Sequence, residues 1–200
     1  MRIFLLFLIS YLCGSIPFAF LFTYFLIGKD IRKIGDGNPG AANVVRNVSK
    51  KWGIMVWVGD TIKGAFPIFL GKCWGETNII FLTIIGCFAI IGHCYSVFLK
   101  FKGGKGAATS GGVILSLMPS LFPLVIILWF TAQKINPRSL KVLLSCIFIF
   151  LLFVFFIYKE QFIYYFISTL ILILTGVIIN KNIIKEIRGK KIGNVEKKNL

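Results

Sequence analysis

The chain has 200 residues, and 57% of them are hydrophobic, well above the roughly 45–50% apolar share of soluble domains. Its mean hydropathy is +0.86, and a soluble fold of this size could not hide so many uninterrupted apolar runs in one core. The formal net charge is +16, but the basic residues stand in short segments between apolar runs, as in cytoplasmic loops of membrane proteins. The charge therefore gives no support for nucleic acid as a partner.

Six apolar runs follow one another along the chain and predict an all-α integral membrane protein. The first begins after Arg2 and is too long for the apolar core of a signal peptide, so we expect it to be a membrane helix. All 200 residues are expected to form a single polytopic domain. The runs cover residues 3–27, 52–71, 78–99, 111–132, 139–157 and 162–179.

The fourth run contains Pro119 and Pro123 and predicts a short helical hairpin, broken by proline, near residues 107–132. If all strongly basic regions are cytoplasmic, this run must enter and leave the membrane on the same side. We therefore expect about seven transmembrane helices, with the N-terminus outside and the C-terminus in the cytoplasm. The basic regions hold six, three, three and seven Lys or Arg residues, in residues 28–51, 100–105, 133–141 and 181–200.

The first basic loop carries three glycines within six positions and is followed by an arginine. Such glycines allow positive φ and leave N–H groups free to line an anion. Arg46 can add a forked donor, and Asn38 and Asn43 can bond hydroxyl groups. An ordinary turn-rich loop with solvated charges is the alternative. The glycines are Gly35, Gly37 and Gly40.

The second basic loop reads K-F-K-G-G-K-G-A-A-T over residues 100–109. It lacks the spacing of a Walker A motif. Gly103, Gly104 and Gly106 nevertheless let the backbone approach a phosphate, and Lys105 supplies positive charge. The helix that follows would point its positive N-terminal end at the anion. A basic anchor at the membrane surface is the alternative, and phosphate binding is the interpretation that we favour.

Asp60 and Lys63 lie inside the second apolar run, where lone charges are costly. They share a helix face at i, i+3 and can pair, either for structure or to organise a site. His93, the only histidine, is expected to be a hydrogen-bonded core residue. The five cysteines form no C-x-x-C pair, and with one histidine they offer no familiar zinc ligand set. We expect neither a metal nor a cofactor.

Together these blocks resemble the PlsY family, the bacterial membrane glycerol-3-phosphate acyltransferases that use acyl-phosphate as donor. The resemblance implies transfer of a fatty acyl group to the sn-1 hydroxyl of glycerol 3-phosphate, giving lysophosphatidic acid and phosphate, the first step of phospholipid synthesis. It also implies a place in the bacterial inner membrane among lipid, and contact with a cytosolic enzyme that makes acyl-phosphate. The similar segments, in the family's order and spacing, are residues 14–18, 35–46, 60–64, 92–93 and 98–106.

The same resemblance implies roles for individual residues. Arg46 and Lys105 are expected to be catalytic, with Asp36 as a less favoured general base. The expected substrate-binding residues are Gly37, Asn38, Asn43, Gly103, Gly104, Gly106, Ser139 and Asn182.

The chain departs from the family pattern at four positions. The usual serine, threonine, histidine and glutamate are replaced by Asp36, Ala42, Ile179 and Lys191. An anionic Asp36 would repel phosphate-bearing substrates unless Arg46 or Lys105 pairs with it. Such a pair is therefore a condition for activity.

Two other functions stay open. A small phosphate-ester transporter would favour charges near the membrane midplane and repeats in the two halves of the chain. Here most polar motifs cluster in loops on one side, and no internal repeat is visible. A binding paralogue that kept the phosphate cradle but lost catalysis would fit the departures at Asp36 and Ile179.

Overall fold

The structure of the protein is a computed structural model that describes residues 2–136 and 139–180. Every regular element in these ranges is helical, which confirms the predicted all-α fold. The α-helices are α1 (Arg2–Ser15), α2 (Phe18–Ile27), α3 (Ala41–Asn47), α4 (Lys50–Cys73), α5 (Ile79–Cys94), α6 (Ala107–Leu117), α7 (Phe122–Ile135), α8 (Leu140–Ile157) and α9 (Phe162–Ile179). Short 3-10 turns lie at Ile31–Lys33, Val97–Leu99, Pro119–Leu121 and Lys159–Gln161.

Four helical segments in the described part of the chain are long and apolar enough to cross a bilayer. Large apolar side chains stay exposed on the helices, for example Phe69 at 60% and Phe156 at 69%, as expected where lipid is the solvent. The protein is therefore a membrane protein, while the number of crossings and their orientation remain predictions. The long segments are Arg2–Ile27, Lys50–Cys73, Ile79–Leu99 and Lys159–Ile179, and the shorter apolar helices are Ala107–Leu117, Pro119–Ile135 and Lys141–Ile157.

The first apolar run forms two helices rather than one, because Pro17 lacks the N–H that a continuous helix would need. Side chains from other helices satisfy the carbonyls at this break. Ser96 Oγ donates to Ser15 O at 2.6 Å, and Lys63 Nζ donates to Ile16 O at 2.7 Å. The break between α1 and α2 is thereby tied to α4 and to the end of α5.

Glycines let the inner helices approach each other closely. Gly64 of α4 faces the backbone of α6, and Gly112 of α6 faces the backbone of α4; a Cβ at either position would overlap that backbone. Gly14 and Gly92 bring α1 and α5 together in the same way. Small residues at such crossings allow the backbone packing that stabilises helix pairs in lipid.

The predicted proline-broken hairpin is present, with a turn over Pro119–Leu121 between α6 and α7. α6 has 11 residues and rises about 16 Å. It can be short because Thr109, in its first turn, packs against Gly64, roughly 21 Å along α4. Near its other end, Lys72 Nζ donates to Ser116 O at 2.5 Å. The second loop therefore ends beside the middle of α4, and α6 needs to run only along the second half of α4.

The core lies mainly between α4, α5 and α6, and α8 and α9 cover one side of it. Thr175 Oγ1 of α9 donates to Cys87 Sγ of α5 at 3.4 Å. Both glycine loops are attached to this inner group of helices. The largest fully buried apolar side chains of the core are Ile68, Leu82, Ile85, Ile90, Met118, Leu121, Val113 and Val154.

Candidate active site

The buried amide of Asn43 organises the first basic loop, which joins α2 to α4. Its Nδ2 donates to Ile34 O at 2.9 Å and to Asn38 O at 3.1 Å. Asn47 Nδ2 in turn donates to Asn43 Oδ1 at 2.7 Å. Because the side chain is 0% exposed and its donors and acceptor are bonded, Asn43 shapes the loop from inside rather than reaching a substrate.

The turn that this amide holds presents Asp36 at its surface. Gly35 and Gly37 flank it with φ of 59° and 70°, a conformation that glycine adopts without strain. The Asn38 N–H donates to Asp36 Oδ1 at 3.2 Å. Gly37 and Asn38, both predicted to bind substrate, therefore lie in the same tight turn as Asp36.

Asp36 forms an ion pair with Arg46, one of the two partners that could offset its charge. Arg46 Nη2 lies 2.8 Å from Asp36 Oδ2, and the two side chains are 57% and 44% exposed. An arginine has five N–H donors in a fork, so the single donor used by Asp36 leaves others for an anion. The pair neutralises the charge of Asp36 without burying Arg46.

The second basic loop rests on the C-terminal end of α5. The Gly103 N–H donates to Cys94 O at 3.0 Å, and the Gly104 N–H donates to His93 O at 3.1 Å. These two N–H groups are committed to α5 and are not available to an anion. Within the described ranges, the backbone N–H groups of residues 105 and 106 make no such bond.

A helix N-terminus completes the second loop. Gly106 precedes α6 with a φ of 84°, which favours glycine. The first N–H groups of a helix lack partners within it and carry partial positive charge. Lys105 is exposed beside them, and its ammonium pairs with no carboxylate in the described residues. Its position thus combines a free cation with N–H donors.

Asn180 joins the end of α9 to this loop. Its Nδ2 donates to Lys105 O at 3.3 Å and to Gly176 O at 3.0 Å. Sequence reasoning did not single out Asn180, and the only signal was a polar residue directly after the last apolar run. Asn182, which was predicted to bind substrate, lies outside the described residues, as does Lys191.

Arg32 ties the two loops together, and sequence reasoning did not find it either. Its Nη2 lies 2.6 Å from Asp30 Oδ2, and its Nη1 donates to Leu99 O beside the second loop at 3.1 Å. The hydrogen bonds from Arg32 lower the pKa of Asp30, although partial burial opposes the shift. An acidic residue just before a short helical turn was the available signal.

A buried charged cluster lies beneath the loops. Asp60 Oδ1 is 2.8 Å from Lys63 Nζ and 3.6 Å from His93 Nδ1. The predicted pairing of Asp60 with Lys63 is thus confirmed. The cluster lines a narrow crevice together with Pro39 of the first loop and Gly104 of the second. Both loops therefore meet above these side chains.

Three further positions from the sequence analysis lie in helices or at their ends. Ser139 begins α8, and its Oγ accepts a hydrogen bond from the Val142 N–H at 3.5 Å. Ala42 belongs to α3, and Ile179 is the last residue of α9. No group of three His, Cys, Asp or Glu side chains that could hold a metal ion occurs in residues 2–136 and 139–180.

A family model described as glycerol-3-phosphate acyltransferase matches residues 4–189. The chain belongs to the glycerol-3-phosphate acyltransferase family. It is 42% identical over 124 residues to a glycerol-3-phosphate acyltransferase of Syntrophomonas wolfei, covering 62% of this chain and 63% of that one. It is 48% identical over 111 residues to one of Thermosipho melanesiensis, covering 56% and 54%. The chain thus spans between half and two thirds of the length of these curated relatives.

The fold resembles two crystal structures of one member of this glycerol-3-phosphate acyltransferase family. They are those of PlsY (YgiH), an integral membrane glycerol 3-phosphate acyltransferase, in its glycerol 3-phosphate and lysophosphatidic acid forms. The first has a TM-score of 0.76 at 29% identity and covers 95% of this chain and 94% of that chain. The family predicted from the sequence blocks is therefore confirmed.

Proposed function

We propose that this protein transfers a fatty acyl group from acyl-phosphate to the sn-1 hydroxyl of glycerol 3-phosphate. The observation that carries the proposal is the exposed Lys105 beside the N-terminus of α6, on a loop whose N–H groups at residues 105 and 106 bond no carbonyl within residues 2–136 and 139–180. This combination suits a phosphate ester. Membership of the family, and the two ligands named for the similar PlsY structures, support glycerol 3-phosphate as that ester.

The second loop is the cradle for glycerol 3-phosphate in this proposal. The Lys105 ammonium, the N–H groups of residues 105 and 106 and the first turn of α6 bind the phosphate. Gly103 and Gly104 let the loop lie close against α5, since their N–H groups already bond to α5 and do not reach the phosphate. Ser139 and Asn182 complete the acceptor site on the strength of the family pattern.

Arg46 serves the donor. Its guanidinium keeps donors free beside the Asp36 contact, so it can neutralise the phosphate of acyl-phosphate or the charge that develops on the carbonyl oxygen. Asp36 is held by Arg46 and by the Asn38 N–H. We therefore assign it to an exposed ion pair with Arg46 rather than to removing a proton. Asn43 acts through the shape of the first loop.

The reaction needs no nucleophile from the protein, because acyl-phosphate already carries a good leaving group. The sn-1 oxygen attacks the acyl carbon, the bond from that carbon to the phosphate oxygen breaks, and phosphate leaves. The departing phosphate takes the hydroxyl proton, so one lysophosphatidic acid and one phosphate form. The protein contributes position and charge stabilisation.

The cellular setting follows from the same proposal. The acyl chain of the donor lies among lipid-facing helices with its phosphate at the loops, in the inner membrane of a bacterium. A cytosolic enzyme that makes acyl-phosphate supplies it. The exposed apolar faces of α8 and α9, including Phe148 and Leu174 at 68% and 59% exposure, support lipid contact.

The test is lysophosphatidic acid formation by the purified, reconstituted protein, with acyl-phosphate or acyl-CoA as donor. We expect product with acyl-phosphate as donor and none with acyl-CoA. Lys105→Ala should lower kcat/KM about 100-fold, because one lost charge contact at a reacting site costs roughly that much. Lys51→Ala, at an exposed lysine of α4, is the matched control and should stay near wild type. No product from folded protein that still binds glycerol 3-phosphate would instead identify a binding paralogue.

A further inference from the structure

Three glycines of the second loop take their position from the last two residues of α5. The Gly104 N–H donates to His93 O, and the Gly103 N–H donates to Cys94 O. A Cβ on Gly104 would overlap the His93 imidazole, and one on Gly106 would lie 3.1 Å from Cys94 Sγ. The loop therefore packs directly against the backbone and side chains of His93 and Cys94.

The other side of the His93 imidazole faces a buried ion pair. Its Nδ1 lies 3.6 Å from Asp60 Oδ1, too far for a hydrogen bond, and Asp60 pairs with Lys63 Nζ. The three side chains are only 6%, 3% and 4% exposed. Lys63 also donates to Ile16 O at the break in the first apolar run. The imidazole therefore sits between a fixed carboxylate and the glycine loop.

We propose that Asp60, Lys63 and His93 form a positioning unit for the glycerol 3-phosphate cradle. Lys63 fixes the Asp60 carboxylate against which the imidazole lies, and the ring and backbone carbonyl of His93 position Gly104. Gly104 in turn sets where the backbone and ammonium of Lys105 stand. This inference rests on the proposed function, because it assigns the second loop to glycerol 3-phosphate.

The alternative for such a cluster is stability alone. On average, a buried ion pair stabilises a protein no better than apolar residues of similar volume, because removing two charges from water is costly. Stability therefore gives no reason for three ionisable side chains at this point. A positioning role does give a reason, because a displacement of about 1 Å at a binding group can lower a rate roughly 100-fold.

The test compares variants that remove the cluster without leaving one charge buried. Asp60→Leu/Lys63→Met removes both charges at similar volume, and His93→Asn removes the ring from beneath Gly104 while Asp60 and Lys63 remain. Ser10→Ala is the control, because Ser10 is also buried and bonds Ile85 O from α1 but touches neither loop. Melting temperature, kcat and the KM values for both substrates are measured for each reconstituted variant.

We expect KM for glycerol 3-phosphate to rise about tenfold in both cluster variants, while KM for acyl-phosphate changes less than about twofold. The double variant and Ser10→Ala should both melt below the wild type, because each loses one hydrogen bond to a backbone carbonyl, but Ser10→Ala should keep wild-type KM values. A wild-type KM for glycerol 3-phosphate in the folded double variant and in His93→Asn would overturn the positioning role alone. Undiminished binding of glycerol 3-phosphate by Lys105→Ala would instead overturn the proposed cradle, and this inference with it.

Discussion

Asp36 places a carboxylate where the family pattern has a serine, next to Arg46, which we assign to the phosphate-bearing donor. Arg46 compensates for it at 2.8 Å, but both side chains are about half exposed. An exposed pair of this kind is weak and is screened by salt. Asp36 should therefore be tolerated by the reaction and yet slow it.

Replacing Asp36 by serine tests that expectation. We expect Asp36→Ser to raise kcat/KM for acyl-phosphate several-fold at low ionic strength, because a negative charge is removed from beside an anionic substrate. The gain should shrink as salt rises to about 0.5 M. Glu76→Gln is the control, because this partly buried carboxylate after α4 accepts from the N–H two residues on, as Asp36 does; it should leave kcat/KM unchanged. A large loss of activity in Asp36→Ser would instead favour Asp36 as a general base.

Sequence reasoning found the exposed charged residues of the site but not their supports. Arg46 and Lys105 were predictable because basic residues beside glycines suit anions wherever the loop folds. The contact of His93 with Gly104 was not, since it depends on how α5 ends and how the loop turns back on it. The commitment of the Gly103 N–H to Cys94 O was hidden for the same reason.

At the level of helices, the lengths of the apolar runs and the positions of the prolines predicted most helix boundaries. The last run, residues 162–179, coincides with α9 (Phe162–Ile179), and Pro119 marks the turn of the hairpin. The division of the first run at Pro17 was not expected, because apolar length alone reads residues 3–27 as one span. The capping of that break by Lys63 and Ser96 depends on tertiary contacts that no local pattern shows.

The crossing of α4 and α6 depends on glycine, and a single methyl group tests it. Gly112→Ala should lower the free energy of unfolding by about 1–3 kcal/mol, because the new Cβ would overlap the backbone at Thr61. Gly176→Ala is the matched control, because a Cβ there meets nothing within 4 Å. Alanine also has a higher helix propensity than glycine, so this variant should not be destabilised. Thermal unfolding in detergent measures both. Equal melting temperatures for the two variants would contradict the close crossing.

For the whole molecule, the charge distribution predicts an orientation that the helices alone leave open. In a variant without the native cysteines, Lys134→Cys should react with a membrane-impermeant thiol reagent only from the cytoplasmic side. Ser120→Cys, at the hairpin turn, should react from outside or stay protected, because the basic regions on both sides of the hairpin are expected in the cytoplasm. Labelling of Lys134→Cys from outside would refute the seven-helix topology.

The molecule as a whole brings two basic loops together above a buried charged cluster, at one end of closely packed helices. Such an arrangement suits a reaction between two anionic substrates at a membrane surface better than passage of an anion through the membrane. The polar loops meet on one side, and Pro39 and Gly104 border the same crevice. We therefore expect catalysis at that surface.

The most direct measurement uses sealed proteoliposomes supplied from outside with acyl-phosphate and glycerol 3-phosphate. It follows lysophosphatidic acid, inorganic phosphate and the glycerol 3-phosphate inside the vesicles together. We predict lysophosphatidic acid and phosphate in a 1:1 ratio, as the proposed bond changes require, with no accumulation of glycerol 3-phosphate inside the vesicles. Uptake of glycerol 3-phosphate without lysophosphatidic acid would contradict acyl transfer and establish a transporter instead.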